Sequence, residues 1–145
     1  NHAINKEKIT VFGGEQLRPN LHIQDYCDVV KLLLTAQKSK IQNQIFNVGY
    51  QNMSIKNISN IVKKVVEKQF PEKGTIPIIT TPSNDNRSYH INSDKIKETL
   101  GFKPQRTIEE SVIELCECFK KNLFKDTFEN DFYYNVKRLK NLNVK

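Results

Sequence analysis

The chain has 145 residues, of which 37% are hydrophobic and 27% charged, a mixture typical of a globular protein that excludes a disordered or collagen-like chain. Its length suffices for one domain with a buried core. The net charge of +7 suits a polyanion or a phosphorylated small molecule, although charge alone also serves solubility. No apolar run is long enough to cross a bilayer, so we expect no membrane partner.

The cysteine count and the glycine pattern exclude several kinds of site. Three cysteines, an odd number, argue against a disulfide framework and favour a reducing compartment, which predicts a cytoplasmic protein. Neither cysteines nor histidines have the spacing of a zinc site, so we expect no metal ligands. The sequence contains neither G-x-G-x-x-G nor a P-loop, so we expect no cofactor bound to this chain.

The first third of the chain predicts two extended pieces and a helix. Residues 9–13 alternate in the β-branched pattern of a strand. Residues 17–23 predict a second extended piece, because Pro19 disfavours a helix before it. Asp25 is placed to cap a helix that runs to about Lys38.

The middle of the chain continues the alternation of strands and helices. Residues 44–49 predict a strand that ends in glycine, and Ser54 predicts the start of a long amphipathic helix over residues 55–69. Residues 75–80 predict a short strand, and a polar loop follows it.

The last third reads as an extended piece and two capped helices. Residues 87–92 predict the extended piece, Ser93 predicts the start of a short helix, and Gly101 predicts its end. Thr107 and Glu110 have the spacing of a capping box, which predicts a further helix.

These elements predict a small α/β unit without a doubly wound half of its own. The capped helix should end near Asn122, and residues 127–142 predict a final helix rich in lysine and aromatic residues. We therefore expect a domain over residues 1–122 and a helical tail over residues 123–145.

Arg18 and Arg87 are the residues best suited to bind an anion. Arg18 stands beside a proline on stiff backbone, where its planar guanidinium fits two phosphate oxygens or, alternatively, a surface carboxylate. Arg87 and Tyr89 share one face of an extended piece and could bind a phosphate and a sugar hydroxyl. The alternative for Arg87 is a surface ion pair with Asp85, which contributes little energetically.

Two other polar groups have simpler interpretations. His22 and Asp25 are interpreted as a packed side chain and a helix cap rather than as catalysts, because no acid–base partner is placed by spacing. Tyr133 and Lys137 spell Tyr-x-x-x-Lys, a pattern expected by chance here, and are interpreted as surface residues of the tail.

Three segments together resemble the C-terminal part of extended short-chain dehydrogenase/reductases, the NAD-dependent nucleotide-sugar epimerases and dehydratases. They are "ITVFGGEQLRPNLHIQDYCDVV", "QIFNVGYQNMSIKNISNIV" and "DNRSYHINSDKIKETLGFKPQRTIEESV". The resemblance implies an α/β fold, the small substrate-binding domain of such an enzyme, which lacks most of the N-terminal Rossmann domain. The Gly-rich cofactor loop and the catalytic Tyr-x-x-x-Lys would lie on that other domain, so we expect no catalytic residue and no activity from this chain alone.

The resemblance also implies a set of substrate-binding residues. Arg18 matches an arginine that contacts the nucleotide diphosphate, and Phe12 with Val11 matches the strand that holds the base. Asp85 and Tyr89 match a loop near the same diphosphate.

One position departs from the family pattern. Many relatives carry a second phosphate-binding arginine three residues before the loop aspartate, where this chain has Pro82. Arg87 either supplies the missing charge from the other side of Asp85 or ties the loop together.

The implied function is that of the substrate-binding part of an NAD- or NADP-dependent nucleotide-sugar epimerase. A 4,6-dehydratase or reductase of the same family is the alternative. The implied partners are a nucleotide-diphosphate sugar and the Rossmann domain, whose absence would leave an apolar face open to homodimerisation. A nucleic-acid-binding module, suggested by the charge of +7, is a second hypothesis, and a free-standing protein-interaction domain is a third. No nucleic-acid-binding motif accompanies the charge, so we expect no nucleic-acid partner.

Overall fold

A computed structural model describes residues 1–85 and 87–143. Its helices are α1 to α7 in chain order: His2–Asn5, Ile23–Thr35, Lys38–Ile41, Ile55–Gln69, Asp94–Leu100, Ile108–Lys120 and Asn135–Asn141. Its strands are β1 to β4: Ile9–Phe12, Leu17–Asn20, Gln51–Ser54 and Ile78–Thr81. Two single 3-10 turns lie at Pro71–Lys73 and Asp131–Tyr133. The arrangement confirms the predicted mixed α/β class.

The four strands form two separate pairs. Strands β1 and β4 run parallel, with Ile9 opposite Ile78. Strands β2 and β3 run antiparallel, with Arg18 opposite Met53. The other edge of β2 has no strand partner among the described residues and is contacted by the extended segment 87–92. Each pair consists of two four-residue strands, and an isolated pair of this size depends on packing against the helices for its stability.

The core lies where α4 packs against α6. Val65 and Val66 of α4 meet Val112 and Cys116 of α6, and Ile76, which is fully buried, closes this layer before β4. Burial raises the pKa of the Cys116 thiol, which fits its interpretation as a packing residue. Apolar residues at helical spacing thus bury one face of each helix.

Local capping signals are confirmed where their partners lie close in sequence. The Ser54 hydroxyl accepts a hydrogen bond from the Asn57 amide and begins α4. Thr107 and Glu110 form the predicted capping box of α6. Gly101 adopts the left-handed conformation that ends α5, with φ of 72°.

The predicted cap of α2 is wrong, whereas the predicted start of α5 at Ser93 is confirmed in position but not in its hydrogen bond. Helix α2 begins with His22 as its cap, because the His22 Nδ1 atom accepts from the Gln24 amide, whereas Asp25 makes distant contacts. The helix also ends at Thr35, before Lys38. Ser93 occupies the cap position of α5, but its hydroxyl bonds the backbone of Gly49 instead of the helix.

Two predicted elements also differ. Residues 44–49 form no strand, and Ile45 is 83% exposed, because a strand needs a neighbour and the described residues place none beside them. The predicted helix over residues 127–142 is broken into the 3-10 turn and α7, in agreement with its weak periodicity. The short helix α1, not predicted, is held because Ala3 and Ile4 enter the core.

The tail packs onto the start of the chain. The Thr127 hydroxyl donates to the Asn1 side chain at 2.8 Å, and the ring of Phe128 meets that of His2 at 5.2 Å. The proposed boundary between residues 1–122 and 123–145 remains a prediction. Within the described residues, no helix combines the length and apolar character needed to span a membrane.

Candidate functional site

A loop from the far half of the chain lies along the open edge of β2. The Leu17 amide donates to the Ser88 hydroxyl at 2.9 Å, and the Tyr89 amide donates to the Leu17 carbonyl at 3.1 Å. Farther along, the side chain of Asn52 donates to the Ile91 carbonyl and accepts from the Ile91 amide. These bonds replace a strand partner and bring residues 85–89 beside Arg18.

Arg18 is fixed by groups from both segments. Its Nη1 donates to the Arg87 carbonyl at 2.6 Å and to the carbonyl of Leu17 at 2.9 Å. Its Nη2 lies 3.5 Å from a carboxylate oxygen of Asp85, and its guanidinium lies 5.3 Å from the centre of the Tyr89 ring. The side chain is 27% exposed, so it is anchored and still reaches solvent.

Asp85 and Arg87 form a two-pronged ion pair at the surface. The Nε and Nη2 atoms of Arg87 donate to the two carboxylate oxygens at 2.7 and 2.9 Å, and the Arg87 amide donates to the same side chain. These hydrogen bonds, followed by the charges of Arg87 and Arg18, lower the pKa of Asp85 to about 2. The same pairing raises the pKa of Arg87 above its ordinary value.

The structure therefore brings Arg18, Asp85, Arg87 and Tyr89 together, and we call these four side chains the arginine cluster. The geometry shows the ion-pair alternative for both arginines, since each faces the Asp85 carboxylate and the two share it, whereas phosphate binding by either arginine stays a prediction. Because one carboxylate faces two guanidinium groups, the three charged side chains keep a net charge of +1. A cationic surface group of this kind is suited to an anionic ligand.

Phe12 and Val11 lie on opposite faces of β1, as alternation along a strand requires. Phe12 is 63% exposed, whereas Val11 is 3% exposed and packed in the interior. The side chain of Val11 is therefore not available to a ligand. The prediction that this side chain contacts the base is not supported by its position. Phe12 offers an aromatic face to a ligand.

A cleft of about 450 Å³ lies beside the cluster and is lined by Gly13, Glu15, Gln16, Asp85 and Ser88. Gln16 shapes the loop after β1, since its side chain donates to the Phe12 carbonyl at 2.8 Å and accepts from the Gly14 amide at 2.6 Å. Gly13 has a φ of 75°, a left-handed conformation that favours glycine, whereas the 2.8 Å approach of an added Cβ to the flexible end of Gln16 could be relieved by movement of that side chain.

The sequence prediction missed three residues of this cleft, Glu15, Gln16 and Ser88. They are polar residues without a motif, and only their nearness to Arg18 and Arg87 along the chain could have indicated them. Glu15 pairs with Lys56 at 3.4 Å, an exposed pair that is neutral overall.

His22 and Asp25 lie apart from this cleft and hold the fold. Asp25 is 1% exposed and accepts from the amides of Gln105 and Arg106 at 3.0 Å each and from the Arg106 guanidinium at 2.6 Å. His22, 6% exposed, faces Glu114 at 3.2 Å. Both interpretations as non-catalytic side chains agree with these contacts, although Asp25 is a cross-link between segments rather than a cap.

Tyr133 and Lys137 likewise lie in the tail. The Tyr133 ring packs edge-on against Phe124 at 6.2 Å, and the Lys137 ammonium donates to the Glu129 carbonyl. Their contacts are those of packing and surface residues. Across residues 1–85 and 87–143, acidic, histidine and cysteine side chains form no group of three or more placed to bind a metal ion.

Comparison with known proteins gives consistent results. The model of the NAD dependent epimerase/dehydratase family matches residues 1–49. The dTDP-glucose 4,6-dehydratase of Shigella flexneri is 24% identical over 127 residues, which cover 83% of this chain and 34% of the relative. The chain thus spans about a third of the length of the curated relatives it matches.

Two solved structures share the fold. UDP-glucose 4-epimerase from Thermotoga maritima, crystallised with UDP-glucose, has a TM-score of 0.67 and 21% identity, covering 85% of this chain and 38% of the epimerase. L-threonine dehydrogenase from Phytophthora infestans has a TM-score of 0.65 and 12% identity, covering 85% and 39%. Together with the sequence matches, they confirm the predicted resemblance: over most of its length, the chain is similar to a part of the extended short-chain dehydrogenase/reductases, the NAD-dependent epimerase/dehydratase family.

Proposed function

We propose that this chain is the substrate-binding part of a nucleotide-sugar epimerase or dehydratase, and that it binds the diphosphate of the nucleotide sugar. The observation that carries the proposal is the arginine cluster, in which Arg18 and Arg87 from distant segments meet beside an open cleft. A diphosphate presents two adjacent negative groups, and two guanidinium forks from separate segments complement them.

Two exposed aromatic side chains support the same ligand. Phe12, 63% exposed, offers a face for a base, and Tyr89, 46% exposed, offers a hydroxyl for a sugar or phosphate oxygen. Binding at these points would orient the sugar toward reacting groups elsewhere, which is the contribution that positioning makes to catalysis.

The reacting groups and the cofactor are proposed to lie on a Rossmann domain that is the partner of this chain. NAD or NADP does not fit the residues present here, because no Gly-rich phosphate loop opens a helix. The Gly13–Gly14 pair after β1 offers no such cradle, since the Gly14 amide is already bound by Gln16. No step of the reaction is therefore assigned to residues of this chain.

Helix α2 supports the proposed partner. It exposes apolar side chains at helical spacing, namely Ile23, Tyr26, Val30 and Leu34, of which Leu34 is 81% exposed. Residues 44–49, which follow α3 along the chain, have the sequence pattern of a strand but no strand beside them in the described chain. A sheet domain packed against α2 would cover both features, and self-association through the same face is the alternative.

The dehydratase alternative rests on a specific observation: curated relatives from Shigella flexneri and Xanthomonas campestris are dTDP-glucose 4,6-dehydratases, at 24 to 28% identity. The epimerase reading rests on the fold shared with UDP-glucose 4-epimerase. The two readings differ in the base, thymine or uracil, that the ligand would carry. The likeness to L-threonine dehydrogenase supports neither, because the fold alone does not determine a substrate.

Thermal unfolding of this chain with a panel of nucleotide sugars tests the proposal. We expect dTDP-glucose or UDP-glucose to raise the melting temperature, because a ligand at roughly 100-fold its dissociation constant adds about 2.7 kcal/mol to the stability. A larger shift with dTDP-glucose favours the dehydratase reading, and a larger shift with UDP-glucose favours the epimerase reading.

Matched arginine variants locate the effect. Arg18→Gln should abolish most of the shift, whereas Arg138→Gln, in the tail beside Asp131, should leave it unchanged. If no sugar nucleotide stabilises the chain, or if random-sequence DNA stabilises it instead, the proposal is wrong.

A further inference from the structure

We propose that helix α7 of one copy of this chain packs into an apolar groove beside α6 of a second copy, so that two copies form a two-fold symmetric dimer. The groove, which we call the tail groove, is lined by Asn1, Leu115, Phe119, Phe124, Thr127 and Tyr133. It shares no residue with the arginine cluster or with the exposed apolar face of α2. The inference therefore does not depend on the proposed function.

Helix α7 lacks the packing that normally stabilises a helix. None of its seven residues, all of which the structure describes, is buried, and isolated helices shorter than about 12 residues are marginal in water. Its attachment to the preceding turn is polar, since Asp131 accepts from the Arg138 guanidinium at 3.3 Å and from the Asn141 side chain at 2.9 Å. A partner that packs against α7 would supply the missing apolar contacts.

The apolar side chains of α7 face solvent together. Val136, which is 66% exposed, and Leu139 are both exposed, as is Leu142 directly after the helix. Residues three apart on a helix lie on one face, and the attachment of Arg138 to Asp131 lies on another side. Helix α7 thus presents a strip of three apolar side chains that a partner can cover.

The tail groove is a preformed receptor for such a strip. Its volume is about 300 Å³, and the ring of Phe124 packs edge-on against those of Phe119 and Tyr133 at 5.2 and 6.2 Å. These contacts hold the three rings in place before a partner arrives. Leu115 of α6, itself exposed, adds an apolar edge. An amphipathic helix laid into an apolar groove is a common mode of recognition.

Charge favours a second copy of this chain as the occupant. Helix α7 carries three basic residues and no acidic one, so a partner for it must offer acidic groups. Residues 108–117 of α6 contain four glutamates and no basic residue, and the side chain of Glu114, next to Leu115, is 62% exposed. Lys121 and Lys125 follow this acidic part of the chain, so α7 is attracted to the Glu114 side of the groove.

The spacing of residues on α7 fits this orientation. Lys140 follows Val136 by one helical turn, so the two side chains are neighbours on the surface of the helix. A copy of α7 that places Val136 against Leu115 therefore brings Lys140 toward Glu114. The apolar contact and the charge contact can form at the same time.

The position of the groove allows the dimer to close. Tyr133 lines the groove and lies two residues before the start of α7 at Asn135, so groove and helix are neighbours on one surface. A single two-fold axis beside them brings each α7 to the groove of the other copy. Such an arrangement uses every groove and every helix, and it stops at two copies.

Sedimentation equilibrium of the 145-residue chain tests the proposal. We expect a reversible dimer, and a rise of about tenfold or more in its dissociation constant for Leu139→Glu, which places a charge in the apolar contact. Leu34→Glu is the matched control, because it places the same charge on the exposed face of α2 and should leave the dimer unchanged. Both positions are exposed, and thermal unfolding checks that each variant is folded.

Two charge reversals identify the surfaces that meet. Glu114→Lys and Lys140→Glu should each weaken the dimer roughly fivefold, because each places like charges in both contacts. In an equal mixture of the two variants, one contact keeps the original pair and the other has the reversed pair. We expect the mixture to dimerise as tightly as the wild type.

Three results would overturn the proposal. The first is a wild-type chain that stays monomeric at about 200 μM; co-sedimentation of that monomer with phosphatidylserine vesicles would assign α7 to a lipid surface instead. The second is a dimer that persists in Leu139→Glu and is lost in Leu34→Glu, which would assign self-association to α2. The third is a mixture of the two charge-reversed variants that associates no more tightly than either variant alone.

Discussion

Two aspartates of this chain each join an arginine to a distant segment, and they differ in their access to water. Asp25 is 1% exposed and ties α2 to the amides of Gln105 and Arg106. Asp85, whose side chain is 38% exposed, ties Arg87 to Arg18 at the edge of a cleft. The chemistry is the same, a carboxylate with guanidinium donors, and only the surroundings separate the two.

The difference explains why one aspartate holds the fold and the other is suited to serve a ligand. Removal or displacement of a buried carboxylate leaves hydrogen-bond donors unpaired in the interior, which is costly. The contacts of such a carboxylate are therefore permanent. An exposed ion pair contributes little to stability because water and salt compete for it, and a phosphate can compete for it in the same way. Substitution of either aspartate tests this difference.

The largest effect should come from Asp25→Ala. It leaves two backbone amides and the Arg106 guanidinium without their acceptor, and breaking such a buried pair costs about 3 kcal/mol or more of unfolding free energy. Urea unfolding, analysed by linear extrapolation, measures the loss.

Asp85→Ala is the matched control for that experiment, since it removes an exposed carboxylate bonded to arginine in the same way. Its unfolding midpoint should stay close to that of the wild type. Equal losses of unfolding free energy in Asp25→Ala and Asp85→Ala would show that burial does not determine how much each aspartate contributes to stability.

A smaller effect should appear in acid. Arg87 and then Arg18 hold the pKa of Asp85 at about 2, below its ordinary value of 3.8, so its pairing stabilises the fold above that value. This contribution should be lost as the pH falls from about 4 to 2. The melting temperature of the wild type should therefore decrease more over this window than that of Asp85→Asn.

Three other acidic groups also have lowered pKa values, namely Asp28, Glu110 and Asp131. They are present in the wild type and in Asp85→Asn alike, so their contribution cancels when the two melting temperatures are compared. Parallel curves for the two proteins would mean that Asp85 is not paired in solution.

The sequence predicted best what depends on neighbours along the chain. Ser54, Thr107 and Gly101 act within one turn of a helix, so their residue types and spacing were sufficient. Asp25 was misread as a cap because its partners lie 80 residues and more away, a separation that no local pattern records.

Strand and site predictions had the same limit. Residues 44–49 carry a strand pattern, but pairing depends on another segment, and the described chain places none there. Arg18, Arg87, Asp85 and Tyr89 were found as candidates by chemistry and by family resemblance, whereas their union through one carboxylate required the fold. Val11 was included with Phe12 because the two are adjacent in sequence, and alternation along β1 separates them.

A crystal structure of this chain with dTDP-glucose or UDP-glucose would test the central claim most directly. We predict that both phosphates lie within about 3 Å of guanidinium nitrogens of Arg18 and Arg87, with the base against the ring of Phe12. A nucleotide sugar bound elsewhere, with the Asp85–Arg87 pair left undisturbed and no phosphate near it, would contradict the account.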